Sequence, residues 1–320
     1  MRFMYVFATA LFLGLATGVS AQYASDRPVR ILVPFAPGSG TDVSARLLAQ
    51  SLSESIKRPV VIDNRPGALG TIATHAAAKA PPDGHTLVAT GNTALAAGPS
   101  LFKKLPYDPV NDFNPIYLLA TAPLALFVAT DSPANTLQKL IALAKAQPGR
   151  LSYASGNATG AVAGEMLKQL AEIDLLHVPY KNSPQALTDV ASGTVNMMFN
   201  DVAGATPLMK AGRIRALAIT SKARSPVLPD APSLYESGYH GYELYNWVGI
   251  LAPAGTPREI VNFLAAEIGK ITLRPEIKER FDRVGLDLVT SSSPAEFAAF
   301  INREIALWSR QIKAAGLQPE

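Results

Sequence analysis

The stretch Ile31-Leu32-Val33-Pro34-Phe35-Ala36-Pro37-Gly38-Ser39-Gly40-Thr41-Asp42 runs a short apolar segment into a loop of small residues, after which the periodicity changes. Over 41–56, Val43, Leu47 and Leu48 recur on one helical face. The unit is therefore strand, glycine-rich loop, helix. The same order repeats outward from it, with strands expected near 60–63, 85–90, 116–129, 151–154, 176–180, 195–199, 213–220, 246–251 and 286–289, and helices between them. That alternation predicts an α/β fold with mostly parallel sheets.

A chain of 320 residues predicts two packed units, each with its own core. The apolar stretch 116–129 exceeds an average strand of about five or six residues and contains Pro123, so it is expected to cross between the two units. A second crossing is expected near 220–232, where Ser225-Pro226, Leu228-Pro229 and Ala231-Pro232 make a proline-rich connection. The resulting division is 1–21 as a signal peptide, 22–122 with 226–320 as a discontinuous first domain, and 123–225 as the second.

Two further helices carry ordinary core faces. One begins near Thr159 and presents Val162, Met166, Leu167 and Leu170; the other, near the C-terminus, presents Phe297, Ile301, Ile305, Trp308 and Ile312.

Composition removes several functions. Twenty-nine Lys and Arg against 25 Asp and Glu leave a net charge of +4, and no run of five or six like charges and no lysine-rich stripe interleaved with aromatics occurs, which argues against nucleic acid as a partner. With no cysteine, disulfides, thiolate nucleophiles and cysteine-ligated metals are excluded. Arg2, the apolar run 6–19 and Val19-Ser20-Ala21 before Gln22 have the order of a secretory signal peptide cut after Ala21. The run is too short to span a bilayer, and the absent cysteine rules out a lipoprotein anchor. An exported, soluble chain is the expectation.

Three strand-to-helix junctions are rich in small residues and hydroxyls. They are 34–42, then Ser155-Gly156-Asn157-Ala158-Thr159-Gly160, then Asn200-Asp201-Val202-Ala203-Gly204. Glycines leave backbone amides uncovered, and each following helix aims its positive end and unsatisfied N–H groups at the same place. Such a junction favours a carboxylate or phosphate. In open parallel sheets ligands lie beyond the carboxyl ends of the strands, so the junctions converge if two lobes face each other across a cleft. Each junction alone is also explained as a short capped loop, and Asp42 and Asp201 are assigned mainly structural or water-orienting roles, because a carboxylate beside an anion repels it.

Other motifs fail. Gly38-Ser39-Gly40 starts a dinucleotide fingerprint, but Val43 stands at its third glycine. No phosphate loop, G-x-S-x-G elbow or H-E-x-x-H is present. His177 lies in a strand and reads as a hydrogen-bonded structural residue, His85 as an exposed turn residue, and no metal-ligand cluster is found. No cofactor and no catalysis are expected.

These residues resemble a known family, the periplasmic solute receptors of tripartite tricarboxylate transporters, or Bug proteins. The resemblance rests on 33–42, Asp63-Asn64-Arg65-Pro66-Gly67, Lys104-Leu105-Pro106-Tyr107-Asp108-Pro109, His177-Val178-Pro179-Tyr180-Lys181 and Leu251-Ala252-Pro253-Ala254-Gly255-Thr256-Pro257. It implies the two-domain periplasmic binding protein architecture of type II-like topology, two Rossmann-like lobes joined by crossing strands. It further implies a cleft that closes on a small organic acid, often through ordered waters, and delivery to a membrane permease.

The matches carry over Phe35, Gly38, Ser39, Gly40, Thr41 and Asp42, with Ser39 standing where the family usually has glycine. Ser155, Asn157 and Thr159 are the expected second-lobe contacts, although Ala158 and Val162 depart from the family's glycine and histidine. Asn200 and Asp201 match an acid and amide pair in reversed order; Trp247 with Phe35 is expected as an apolar wall, and Asn92 and Tyr180 complete the set. A dicarboxylate is the leading ligand class, an aromatic or amino acid carboxylate the competitor. The rival functions are a ligand-presenting receptor for a membrane sensor kinase and a secreted hydrolase.

Overall fold

A computed structural model describes residues 27–242 and 244–319; the signal peptide expected over 1–21 lies outside them. The first half opens with β1 (Val29–Val33), α1 (Gly40–Ile56), β2 (Val60–Asn64), α2 (Thr71–Ala78) and β3 (Thr86–Gly91). β1 pairs in parallel with both β2 and β3. The chain then makes a π-helical turn, Asn92–Ala97, and the short α3 (Gly98–Leu101) before β4 (Phe113–Ala129).

β4 is one continuous strand of 17 residues. Its length follows from its partners. It runs antiparallel to β9 (Tyr245–Pro253) as far as Pro123, then from Leu124 onward antiparallel to β7 (Met197–Asp201) and from Ala125 to β8 (Ile214–Ile219). Pro115 sits at a register shift and Pro123 at the change of partner, positions where the missing N–H disturbs the ladder least. The expected crossing is present, as a strand without the break that its length suggested.

The second half holds α4 (Leu137–Ala146), β5 (Ser152–Ser155), α5 (Ala158–Ala171), β6 (Leu176–Pro179), α6 (Ser183–Ala191) and α7 (Val202–Lys210). β5 is parallel to β6 and β7. From β8 the chain stays against this half: Leu228 and Ala231 pack with Ile219, and Ile219 pairs with Ser233. It rejoins β4 and β3 as β9, followed by α8 (Arg258–Thr272), α9 (Pro275–Asp282), β10 (Asp287–Leu288) and α10 (Pro294–Ala314). The whole sheet runs β2-β1-β3-β9-β4-β7-β5-β6, with β8 and β10 also on β4. The mixed α/β architecture is two-lobed, and β4 belongs to both lobes.

Thr220 ties the two connections together. Its hydroxyl accepts from Leu124 N–H at 2.9 Å and donates to the Leu244 carbonyl at 2.6 Å, while its own N–H donates to the Leu124 carbonyl at 2.8 Å.

Burial follows the predicted faces with two exceptions. Phe297, Ile301, Trp308 and Ile312 of α10 are core, as are Val162 and Leu167 of α5, but Leu170 is 42% exposed because it falls on the outer edge of that helix. His85 is buried where exposure was expected. Asp83 accepts its backbone N–H at 3.0 Å, and its Nδ1 lies 3.4 Å from the Pro28 carbonyl at the start of β1.

Candidate ligand-binding cleft

Four helix N-termini meet between the lobes. The space there is lined by Ser39, Gly40 and Thr41 at the start of α1, Asn157 before α5, Ser183 at the start of α6 and Asp201 before α7. Phe35, the segment 91–93, Asn246 and Trp247 complete the lining. Each helix begins there for the same local reason: an extended residue whose side chain accepts an N–H of the first turn. Ser39 accepts from Asp42 N, Asn157 from Gly160 N, Asn182 from Gln185 N and Asp201 from Gly204 N. A cap satisfies one of the four orphan donors, so each helix end keeps further N–H groups directed outward. Among the described residues no lysine or arginine lines the cavity. The favourable field for an anion comes from backbone dipoles.

The lobes touch through specific side chains. Asn92 Nδ2 donates across the cleft to Thr159 Oγ1 at 2.6 Å and to Asn246 Oδ1 at 3.3 Å. Asn246 Nδ2 in turn donates to Asp201 Oδ2 at 3.4 Å, and Trp247 N–H donates to Asn92 Oδ1 at 3.4 Å. The chain of contacts runs from second lobe to first and back.

Gly40 meets Asp201 at the same seam. A Cβ on Gly40 would lie 2.4 Å from Asp201 Oδ1, so the carboxylate rests against a bare α-carbon. Asp201 is the one charged group lining the cavity. Burial pushes its carboxyl upward, opposed by the Gly204 and Asp201 N–H groups and by Asn246. Asp42, by contrast, is spent inside the first lobe, where its carboxylate accepts from Gly38 N–H, Arg46 and Asn64. Gly38 has φ +83°, a left-handed conformation that suits glycine, and its carbonyl approaches Gly204.

The remaining expected residues lie elsewhere. Ser155 Oγ is 2.7 Å from His177 Nε2, and the imidazole stacks on Tyr153 with ring centroids 4.7 Å apart. Burial lowers the His177 pKa, which favours the neutral ring in that bond. The Tyr180 hydroxyl donates to Asp189 at 2.7 Å, and burial with that carboxylate raises its pKa to about 12. Asn200 donates to the Asp201 carbonyl, while its Oδ1 is buried without a protein partner. None of these three lines the cavity. The Trp247 indole packs edge-on against Phe297 and Phe300 and donates to Glu304 at 2.9 Å, and Trp247 lines the cavity together with Phe35.

Sequence reasoning missed Ser183, Asn246 and Thr93. Asn182-Ser183-Pro184 does carry a legible start signal, a capping residue followed by proline in the first turn. Asn246 has no such signal, since only the pairing of β9 with β4 brings it beside Asp201.

The family model described as tripartite tricarboxylate transporter family receptor matches residues 44–317. Protein BugT of Bordetella pertussis is 35% identical over 308 residues, covering 95% of this chain and 94% of its own. Among solved structures, R. palustris Rpa4515 with adipate is 34% identical with a TM-score of 0.89, covering 92% of this chain and 99% of that one. MatC from Rhodopseudomonas palustris with bound malate is 30% identical with a TM-score of 0.82, covering 89% and 99%.

Proposed function

The chain belongs to the tripartite tricarboxylate transporter receptor family, periplasmic solute-binding proteins that are not enzymes, and from that premise we propose that it captures a small dicarboxylate between its lobes and delivers it to a membrane permease of the tripartite type. The observation that carries this reading is the convergence of four helix N-termini on one cavity without a cationic side chain. One carboxylate is held at the α1 terminus by the N–H groups of Gly40 and Thr41. The other is held by the second-lobe termini near Asn157 and Ser183. A dicarboxylate fits donors that come from two lobes, and the adipate and malate held by Rpa4515 and MatC are ligands of that class. Phe35 covers the methylene segment.

Binding with closure needs no chemical step. The ligand gains interactions with both lobes only when they are together, and that difference in free energy shifts the population. Charge-assisted hydrogen bonds contribute roughly 1.5–3 kcal/mol each, so a few of them support a micromolar complex near −8 kcal/mol after ordering costs. The hinge is assigned to the switch of β4 at Pro123–Leu124 and to the return at Leu244–Tyr245, so 226–244 moves with the second lobe.

The test is a thermal-shift and calorimetry panel on protein stripped of ligand by unfolding and refolding. Adipate, malate and related diacids should stabilise it, by about 2.7 kcal/mol at a hundredfold excess over Kd, and their diamides should not. Indifference to every mono- and dicarboxylate would remove the proposal.

A further inference from the structure

β9 has two faces, and the second one is also concave. Successive side chains of a strand point to opposite sides; Asn246 faces the ligand cleft, and the Trp247 indole faces α10. There a separate space of about 280 Å³ opens between β9 and α10, close to the lower end of the roughly 300–1,000 Å³ typical of small-molecule sites. Tyr245, Trp247, Phe300, Leu307 and Trp308 supply its apolar walls, and Glu304 its charge.

The walls are fixed. Trp247 and Trp308 are 2% and 1% exposed, and Phe300 meets the Trp247 ring edge-on at 5.2 Å. Leu307, 36% exposed, stands at the rim.

Thr121, Tyr245 and Gln311 add neutral polar groups, and Glu304 is the charged residue among the lining residues described. Glu304 accepts the Trp247 indole N–H at 2.9 Å and is also bonded by Trp308. Gln311, which lines the same space, has a buried Oε1 without a protein partner. Among the described residues no lysine or arginine lines it; Arg303 lies 5.9 Å from the centre of the Phe300 ring. Arg303 acts on the Glu304 carboxyl through its charge but does not line the space, so none of the described cations stands within the pocket itself, and aromatic faces attract cations. Burial pushes the Glu304 carboxyl upward, a cost that a bound cation reverses.

We propose that this pocket is a second ligand site, separate from the carboxylate cleft, that takes a compact aryl-alkylammonium with its ring against the accessible walls Tyr245, Phe300 and Leu307 and its ammonium on Glu304.

The experiment titrates purified protein with 2-phenylethylamine, followed by tryptophan emission and calorimetry, beside 3-phenylpropanoate as the anion of similar shape. Both titrations are run with malate saturating the carboxylate cleft; saturable binding of the amine at one site per chain is then expected, with no matching signal from the anion. Glu304→Gln keeps an acceptor for the indoles and should weaken the amine by at least about tenfold. Leu307→Arg leaves Glu304 intact, places a competing cation at the rim and should abolish binding; both variants are checked for unchanged melting. No saturable amine binding up to about 10 mM, equal binding of the anion, or full affinity in either well-folded variant overturns the proposal.

Discussion

Gly40→Ala isolates the seam on which closure depends. The added Cβ would stand 2.4, 2.5 and 2.6 Å from Asp201 Oδ1, Cγ and Oδ2, about 1 Å short of an ordinary contact. Asp201 has little room to yield, since it is 6% exposed and Oδ1 holds Gly204 N–H at 2.8 Å. Moving it gives up that charge-assisted bond, worth roughly 1.5–3 kcal/mol. At 1.4 kcal/mol per decade, ligand affinity should fall roughly 10- to 150-fold. The ligand-free protein escapes the overlap by opening, and alanine is the better helix former by up to about 1 kcal/mol, so its melting temperature should hold or rise. Calorimetry with adipate and malate reads the first quantity and unliganded melts the second. An affinity within about twofold of the parent, with melting unchanged, would show that the lobes do not close through Gly40 and Asp201.

Asn92→Ala and Thr159→Ala each remove the 2.6 Å cross-cleft bond and should lower ligand affinity by up to roughly tenfold; in a double-mutant cycle the pair should cost little more than either alone, and full additivity would deny the coupling. Asp201→Asn should change the acid limb of stability. Burial raises the Asp201 pKa above 3.8, so between the unfolded and folded values the native state holds more protons and the parent loses stability as pH rises. The melting advantage of the asparagine variant should therefore grow from about pH 4 upward and then level; a difference independent of pH would contradict this. Ser39→Ala deletes the α1 cap and should cost about 1 kcal/mol of stability as well as ligand affinity, measurable by denaturant melts and calorimetry; a change in affinity alone would mean that the cap is dispensable.

What could be read in advance was whatever depends on neighbours along the chain. The ten strands near their expected positions, the cap at Asp201 and the crossing role of β4 are set by local periodicity, glycine placement and side-chain hydrogen bonding. Side-chain direction was harder to foresee. Ser155 and Tyr180 look like cleft donors in one dimension, yet parallel pairing of β5 with β6 sets Ser155 within reach of His177, and the last turn of α6 brings Asp189 to Tyr180. Trp247 lines the cavity beside Phe35, and the reach of its indole N–H to Glu304 on α10 is a contact that no local pattern encodes. Asn246 and Ser183 enter the site through contacts between segments far apart in sequence, which no local pattern encodes.

The Thr220 lashing has a mechanical meaning. Because one hydroxyl holds Leu124 on the outgoing connection and Leu244 on the returning one, the two linkers are yoked like the paired pins of a door. Relative twisting of the lobes would tear that knot, whereas swinging about the line joining the pins leaves it whole. Under the proposed hinge closure, opening would therefore run as a swing about the line joining the pins rather than as a twist of one lobe on the other.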